Sequence, residues 1–444
     1  MRKILAFVCA LMCFSASLFS ETTDGIIFAE KLQKILFEGT LEQAINLFSE
    51  IPDSLKDDKD LTILKASLIF SAKRYDEAQE IADNLLLHYP DDIGVLELKA
   101  EIAFAKKDSK MLKTVSEKIL SINPYNAIAN IIKANQFALK KNYKQADVYY
   151  KKALVSEPEN LEAMFGHGKM NYYIGDFKES EKTFLKLLEI DSLNSDSYQY
   201  LGKLYAESEN YLAASKNIEK AILIDPQNYD YYIDYGQYNR YQGKFAEAEK
   251  AWTKAIELEP DYFLAYTYRA GLYDEQNKIE EALRDYKKIV ETNPKYYFAY
   301  EEMGILEFHL KNWSEARKYF TLANQYRKDW AYQLMIVATY LKEKNTFKAK
   351  ESAQTFMKTM DKTSSEYQMM RLYHDQGPVN AENALSNSIQ KEDNKTKRGK
   401  LLYYMGLYYD LKNLPQAAVT YYNKILEMQT PLFFEYRLAE WGLQ

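Results

Sequence analysis

SDSYQYLGKLYAESENYLAASKNIEKAILIDPQN (residues 195–228) is followed directly by YDYYIDYGQYNRYQGKFAEAEKAWTKAIELEPDY (residues 229–262). Both stretches are 34 residues long, and they share tyrosine at position 4, glycine at position 8, alanine at position 20 and proline at position 32. Self-similarity at a fixed period of this length is typical of solenoids, in which each repeat packs on its neighbours. The sequence therefore predicts a repeat protein.

The same frame covers residues 25–432 as twelve units with no net insertion. Position 8 is mostly glycine or alanine, position 20 is mostly alanine, and position 24 is mostly large and apolar. The pattern is degenerate in 93–126 and in 331–398, where Leu112 and Lys350 replace the usual alanine at position 20. For the unit 365–398 we expect either a bend or flexible joint, or repeat decay without mechanical meaning.

Each unit predicts two antiparallel amphipathic helices of about 13 residues. Small residues at positions 8 and 20 indicate that the two backbones approach closely there. Gly175 and Gly243 stand at position 15, where the chain reverses and a left-handed conformation is needed. Proline at position 32 ends the second helix, and residues such as Asn160 at position 34 suit the N-cap of the next helix. We therefore predict an all-α protein.

These positions resemble the tetratricopeptide repeat: large or aromatic at 4, small at 8, alanine at 20 and 27, aromatic at 24 and proline at 32. The resemblance covers residues 25–432. It implies a right-handed superhelical solenoid of about twelve helix-turn-helix units, in which the first helix of each unit lines a concave groove. Residues 433–444 lie beyond the last unit, and we expect them to form a helix that caps its exposed edge.

The amino terminus predicts export. Arg2 and Lys3 precede an apolar run at 4–19, and these 16 residues fall short of the ~20 that span a bilayer. We expect a cleaved signal peptide at 1–20 and a periplasmic or cell-envelope location. An uncleaved anchor, or a lipoprotein acylated at Cys13, remains an alternative, and only this segment would then contact a membrane.

Charge and composition exclude several classes of function. The formal net charge is −6, whereas nucleic acids and anionic lipids require a basic surface. The four histidines are far apart in sequence, and there is no phosphate-binding loop or nucleophile motif. We therefore expect no enzymatic activity, no metal and no cofactor.

The resemblance places positions 2, 5, 9, 12 and 13 of each unit in the groove. These positions contain aromatic, apolar and scattered charged side chains, which suits an extended polypeptide segment. Acidic residues outnumber basic ones there, so we expect a neutral or basic partner. For the aromatic residues, packing between repeats is the alternative. The partner-binding candidates are Ile131, Asn135, Phe165, Lys169, Tyr172, Tyr173, Lys203, Arg240, Tyr241, Phe298, Glu301, Phe308 and Tyr332.

The sequence thus favours a non-enzymatic scaffold of the cell envelope that binds extended segments of other proteins in its groove. Two alternatives remain. One is a surface-exposed adhesin or cell-wall-associated protein, in which concave tyrosines would stack on a sugar or host ligand. The other is a structural homo-oligomer, formed by association of the edges of the solenoid.

Overall fold

The computed structural model describes residues 23–377 and 379–444, so the predicted signal peptide at 1–20 lies outside the described residues. Within these ranges all regular secondary structure is helical, which confirms the predicted all-α class. None of the helices described here has the length and apolarity that are needed to cross a membrane. The chain divides into two compact units, Met1–Ile224 and Asp225–Gln444.

In the N-terminal unit, two helices occupy each 34-residue period. They are α1 (Thr23–Glu38), α2 (Leu41–Leu47), α3 (Lys59–Ser71), α4 (Tyr75–His88), α5 (Ile93–Ala105), α6 (Ser109–Ile122), α7 (Ala127–Leu139), α8 (Tyr143–Ser156), α9 (Leu161–Ile174), α10 (Phe177–Ile190), α11 (Ser195–Glu207) and α12 (Tyr211–Ile224). Two short 3-10 turns, Phe48–Glu50 and Asp53–Leu55, separate α2 from α3.

The C-terminal unit continues the same pattern and ends in one additional helix. Its helices are α13 (Tyr229–Tyr241), α14 (Phe245–Leu258), α15 (Phe263–Glu275), α16 (Ile279–Thr292), α17 (Tyr297–His309), α18 (Trp313–Tyr326), α19 (Trp330–Lys342), α20 (Thr346–Met357), α21 (Ser365–Asp375), α22 (Val379–Gln390), α23 (Lys395–Leu411), α24 (Pro415–Leu426) and α25 (Phe434–Gly442). Within each unit, consecutive helices pack on one another.

The close approach of paired helices explains the small residue at position 8. Gly236 on α13 faces the ring of Trp252 on α14, and a Cβ added to this glycine would lie 2.4 Å from the indole Nε1. The indole is fully buried and donates a hydrogen bond of 3.2 Å to the carbonyl of Ile233. Position 8 must therefore be small because the large side chain at position 24 occupies the space beside it.

The turns and helix caps occur at the positions that the 34-residue frame predicts. Asn160 and Asn194 cap α9 and α11, and their side-chain oxygens accept hydrogen bonds from backbone amides three residues later at 2.9 and 3.0 Å. Gly175 adopts a left-handed conformation at position 15, with a φ of 91°. Lys107 and Lys141 adopt it at the same position, so the turn does not require glycine. Lysine tolerates this conformation at a modest energetic cost.

The first helices of the last repeats converge. The Tyr404 hydroxyl on α23 donates a hydrogen bond of 2.9 Å to the carbonyl of Ala331 on α19, and Lys342 pairs with Asp410 at 2.5 Å. The unit 331–364 therefore contacts the unit 399–432 directly, although 365–398 lies between them in sequence. Helix α23 has 17 residues where most first helices have 13.

Candidate partner-binding surfaces

A groove crosses the first helices of the N-terminal unit. It encloses a cavity of about 360 Å³ and is mainly apolar. Phe104 at the end of α5 is 71% exposed and projects into it, because Val95 and Ile102 on the same helix fill the core. We call this surface the N-terminal groove; its lining residues are Phe70, Ala100, Glu101, Phe104, Ala105, Ile128, Ile131, Ile132, Asn135, Asn160 and Glu162.

Carboxylates without cationic partners lie at the edge of this apolar surface. Burial raises the pKa of Glu97 and of Glu101, and the two groups lie on adjacent turns of α5. Glu97 accepts a hydrogen bond of 2.6 Å from the side chain of Asn126. In the described part of the chain no lysine or arginine forms an ion pair with Glu97, Glu101 or Glu162. The groove therefore combines apolar area with unneutralised negative charge.

Ile131 and Asn135 both line this groove. Ile131 is buried, so it contributes only its edge. The side-chain oxygen of Asn135 accepts a hydrogen bond from the hydroxyl of Tyr150. This bond from Tyr150 on α8 fixes the orientation of the Asn135 side-chain amide.

The other candidates of the N-terminal unit surround Tyr200, a residue of α11 that the sequence analysis missed. Its ring centroid lies 5.6 Å from those of Phe165 and Tyr172. The ammonium groups of Lys169 and Lys203 lie 5.8 and 5.3 Å from the centroid of the same ring. These side chains therefore contact one another across α9 and α11. Burial raises the pKa of the Tyr200 hydroxyl far above its usual range.

Tyr173 lies at the exposed edge of this cluster. Its ring stacks on that of Tyr143, with the centroids 4.8 Å apart and an angle of 20° between the planes. Tyr172 donates a hydrogen bond of 2.8 Å to Glu207. Tyr173 thus presents an aromatic face to solvent, whereas Tyr172 bridges α9 and α11.

Candidates in the C-terminal unit differ in accessibility. Arg240 and Tyr241 are exposed at the end of α13, where Arg240 pairs with Glu275 at 2.9 Å. Phe298 is exposed and stacks on Tyr297, with the ring centroids 4.1 Å apart. Phe308 is buried against other side chains of its own helix pair.

Helix α25 covers the remaining candidates. Tyr332 is only 1% exposed, because the ring of Phe434 stacks on it with the centroids 5.9 Å apart and an angle of 13° between the planes. The Tyr332 hydroxyl donates a hydrogen bond to Glu301. A partner can therefore contact Tyr332 only after Phe434 has moved. Beyond packing on α23 and α24, this helix extends across α17.

Arg437 connects α25 to the first helix of an earlier repeat. Its guanidinium pairs with Asp274 on α15 at 2.5 Å and lies 3.7 Å from Glu302 on α17. The Arg437 guanidinium also lies 4.1 Å from the ring centroid of Trp441, which in turn contacts the ring of His309 at 4.0 Å. We call the surface under α25 the C-terminal dock; it consists of Asp274, Glu302, His309, Phe320 and Tyr332.

Ionisable clusters elsewhere serve packing. His167 on α9 is buried and lies 2.5 Å from Asp147 on α8, which also pairs with Lys151 at 2.8 Å. Asn171 donates a further hydrogen bond of 3.0 Å to the same carboxylate. In residues 23–377 and 379–444, no group of three or more His, Cys, Asp or Glu side chains is arranged to hold a metal ion.

Sequence comparison identifies the repeat. Models of the tetratricopeptide repeat match residues 37–102, 195–228, 236–297 and 270–329. These matches confirm the resemblance given by the 34-residue frame. No curated protein matches the chain.

Several solved structures are similar to part of the chain. MamA is 25% identical over 36% of this chain and 95% of its own, with a TM-score of 0.34. YrrB, described as a tetratricopeptide-repeat protein with an unusual peptide-binding site, is 22% identical over 44% of this chain and 97% of its own, with a TM-score of 0.34. The pilF protein of Pseudomonas aeruginosa is 19% identical over 46% and 94%, with a TM-score of 0.41.

Proposed function

We propose, from the premise that this chain is a tetratricopeptide repeat protein, that it binds an extended segment of a partner protein in the N-terminal groove. Proteins of this repeat family are interaction scaffolds. Their stacked helices present a preformed surface, so little conformational entropy is lost by the scaffold when a partner binds. The activity we assign is therefore binding, without catalysis.

One observation carries this proposal: Phe104 is largely exposed beside Ile128 and Ile132, and Glu101 lies next to them without a cation. Burying one large apolar side chain of a partner against this surface contributes about 1.5–3 kcal/mol. A lysine or arginine that reaches Glu101 adds a charge-assisted hydrogen bond. The preferred segment thus combines apolar anchors with a basic residue, and an acidic tail is disfavoured.

The proposed location is the cell envelope. It is supported by the sequence of the amino terminus, where a short basic region precedes a mainly apolar run of 16 residues. Partners would then be envelope proteins with exposed segments. Any contact with the membrane is assigned to that amino-terminal segment alone.

Selection from a library of displayed random peptides tests the proposal. Peptides that bind the wild-type chain are expected to combine large apolar residues with lysine or arginine. Phe104→Ala should weaken their binding by about tenfold, because the principal apolar contact is lost. Phe347→Ala is the matched control, since Phe347 is 77% exposed on the second helix α20, outside the groove. Selected peptides that bind both variants equally would place the binding surface elsewhere.

A further inference from the structure

We propose that the C-terminal dock is a second binding surface, for a partner helix in which an aromatic pair is followed three residues later by arginine. The chain's own Phe433, Phe434 and Arg437 have this pattern and occupy the dock. A partner helix of the same chemistry binds by displacing α25. This surface is distinct from the N-terminal groove, and its use does not depend on the function proposed for that groove.

The aromatic pair provides the apolar anchors of α25. The ring of Phe434 contacts both Tyr332 and Phe320, with centroid distances of 5.9 and 6.0 Å. Phe433 packs against Gly399 so closely that a Cβ on this glycine would lie 2.2 Å from the Phe433 ring. Phe434 thus enters the dock at the first turn of a short helix, and the adjacent Phe433 anchors the same end on α23. Such aromatic anchors account for most of the binding energy in helix-in-groove complexes.

Charge complementarity selects arginine at the following turn. Asp274, Glu301 and Glu302 bring three carboxylates to this face, and Arg437 is the cation that pairs with Asp274 and lies nearest to Glu302. Burial and the neighbouring Asp274 and Glu301 raise the pKa of Glu302. Removal of α25 would leave Asp274 and Glu302 without the cation that now lies between them. An incoming helix therefore needs a cation at the position of Arg437, and guanidinium suits the bidentate geometry.

The attachment of α25 is compatible with exchange. Two cavities of about 480 and 490 Å³ flank Arg437, so solvent reaches both sides of the contact. The connection from α24 is short and includes Leu432, which is 80% exposed. With nine residues, α25 is too short to be stable as a helix without its packing surface. It therefore resembles a tethered ligand more than a regular repeat helix.

Glu435 makes the resident helix an imperfect ligand. Its side chain is fully buried, with one oxygen accepting a hydrogen bond of 3.1 Å from Tyr404. The other oxygen, Oε2, is buried without a hydrogen-bond partner in the described structure. Burying an unsatisfied carboxyl group opposes docking. A partner helix with an apolar residue at this position avoids that cost and competes effectively with α25.

A fluorescein-labelled peptide of residues 430–444 tests exchange on the full-length protein. The variant Phe434→Ala weakens docking of the resident helix and leaves every dock residue unchanged. We expect the peptide to bind this variant about tenfold more tightly than it binds the wild-type chain, because the competing helix is weaker. A peptide that carries the substitution Arg437→Ala should bind the Phe434→Ala variant about tenfold more weakly than the unsubstituted peptide does. Equal affinities of the two peptides would overturn the proposal.

Hydrogen exchange in the wild-type chain provides a second readout that does not depend on folding of the variant. Saturating peptide is expected to accelerate exchange of the amides of 434–442, because displaced α25 loses its packing surface. Two results would show that α25 is a fixed part of the fold. One is unchanged exchange in the wild-type chain at a peptide concentration that saturates the Phe434→Ala variant. The other is that a fully helical Phe434→Ala variant does not bind the peptide. Phe104→Ala should leave both readouts unchanged, which separates this surface from the N-terminal groove.

Discussion

The guanidinium of Arg437 donates two hydrogen bonds of 2.5 Å to the carboxylate of Asp274, which lies 163 positions earlier in the chain. Parallel bonds of this kind combine charge with fixed geometry, and they are among the stronger polar contacts in proteins. They hold the last helix of the chain against the first helix of a repeat far from it in sequence. The C-terminal unit therefore covers part of its own candidate binding surface.

Arg437→Ala should destabilise docking of α25. The substitution leaves the largely buried Asp274 next to Glu302 without its cation, and we expect a loss of roughly 2 kcal/mol in the free energy of local opening. Hydrogen exchange of the amides of 434–442 measures this quantity. Arg240→Ala is the control, because its partner Glu275 is exposed. Loss of this exposed ion pair should reduce stability by less than about 1 kcal/mol. Equal effects of the two substitutions would contradict the importance of the buried pair.

Glu435 predicts a pH dependence of docking. Burial raises its pKa to about 7 in the folded state, against an ordinary value of 4.5. A carboxyl group with a raised pKa stabilises the folded state below pH 4.5, and this stabilisation is lost as pH rises through 7. Docking of α25 should therefore be weaker at pH 8.5 than at pH 5.5, by about 2 kcal/mol.

Burial sets the sign of this effect, and the groups around Glu435 modify its size. Lys400 lowers the pKa and Asp329 raises it, while Tyr404 donates a hydrogen bond. Glu302 also has a raised pKa and contributes in the same direction. Glu435→Gln should thus reduce the pH dependence without abolishing it. Hydrogen exchange of 434–442, corrected for the intrinsic effect of pH, measures the change; tighter docking at pH 8.5 would refute the assignment.

Gly236→Ala tests the packing of paired helices. The added Cβ would overlap the buried indole of Trp252, so we expect a loss of about 1–3 kcal/mol in the free energy of unfolding. Gly271→Ala is a matched control on α15, since its added Cβ meets no atom within 4 Å. That control should stabilise the helix by up to about 1 kcal/mol. Denaturant unfolding followed by circular dichroism distinguishes the two, and similar destabilisation by both would contradict the steric explanation.

Glu101→Gln tests the preference for a basic partner. With a selected peptide that contains lysine, this substitution should weaken binding about tenfold, because a charge-assisted hydrogen bond becomes a neutral one. A version of the same peptide with methionine in place of lysine should bind both proteins equally well. Titration calorimetry of the four combinations gives the coupling between the two groups. No coupling would mean that Glu101 does not contact the basic residue.

The repeat frame predicts most of the fold because its determinants are local. Glycine opposite a large ring, an asparagine cap and a left-handed turn each act within one 34-residue unit, as Gly236 and Asn160 illustrate. The family prediction depends on the same local positions, and the matching repeat models confirm it. The contact between Lys342 and Asp410 has no such signal, because it passes over the degenerate unit 365–398.

The binding surfaces are less predictable from sequence. Tyr200 lies at position 6 of its unit, outside the positions assigned to the groove, yet its ring organises the cluster around Phe165. Residues 433–444 lie outside the repeat frame, so no periodicity relates Arg437 to Asp274. The conserved spacing of a repeat specifies how neighbouring helices pack. It does not specify which part of the groove a distant segment covers.

Site-specific photo-cross-linking tests partner binding in the N-terminal groove most directly. Benzoylphenylalanine would replace Phe104 in the groove and, in a separate variant, the equally exposed Phe347 outside it. After irradiation of living cells, we expect cross-links from position 104 to one segment of a partner, identified by mass spectrometry as apolar with a lysine or arginine. Position 347 should give none to that segment. Cross-linking of the same segment from position 347, or no protein cross-link from position 104, would contradict the proposed function.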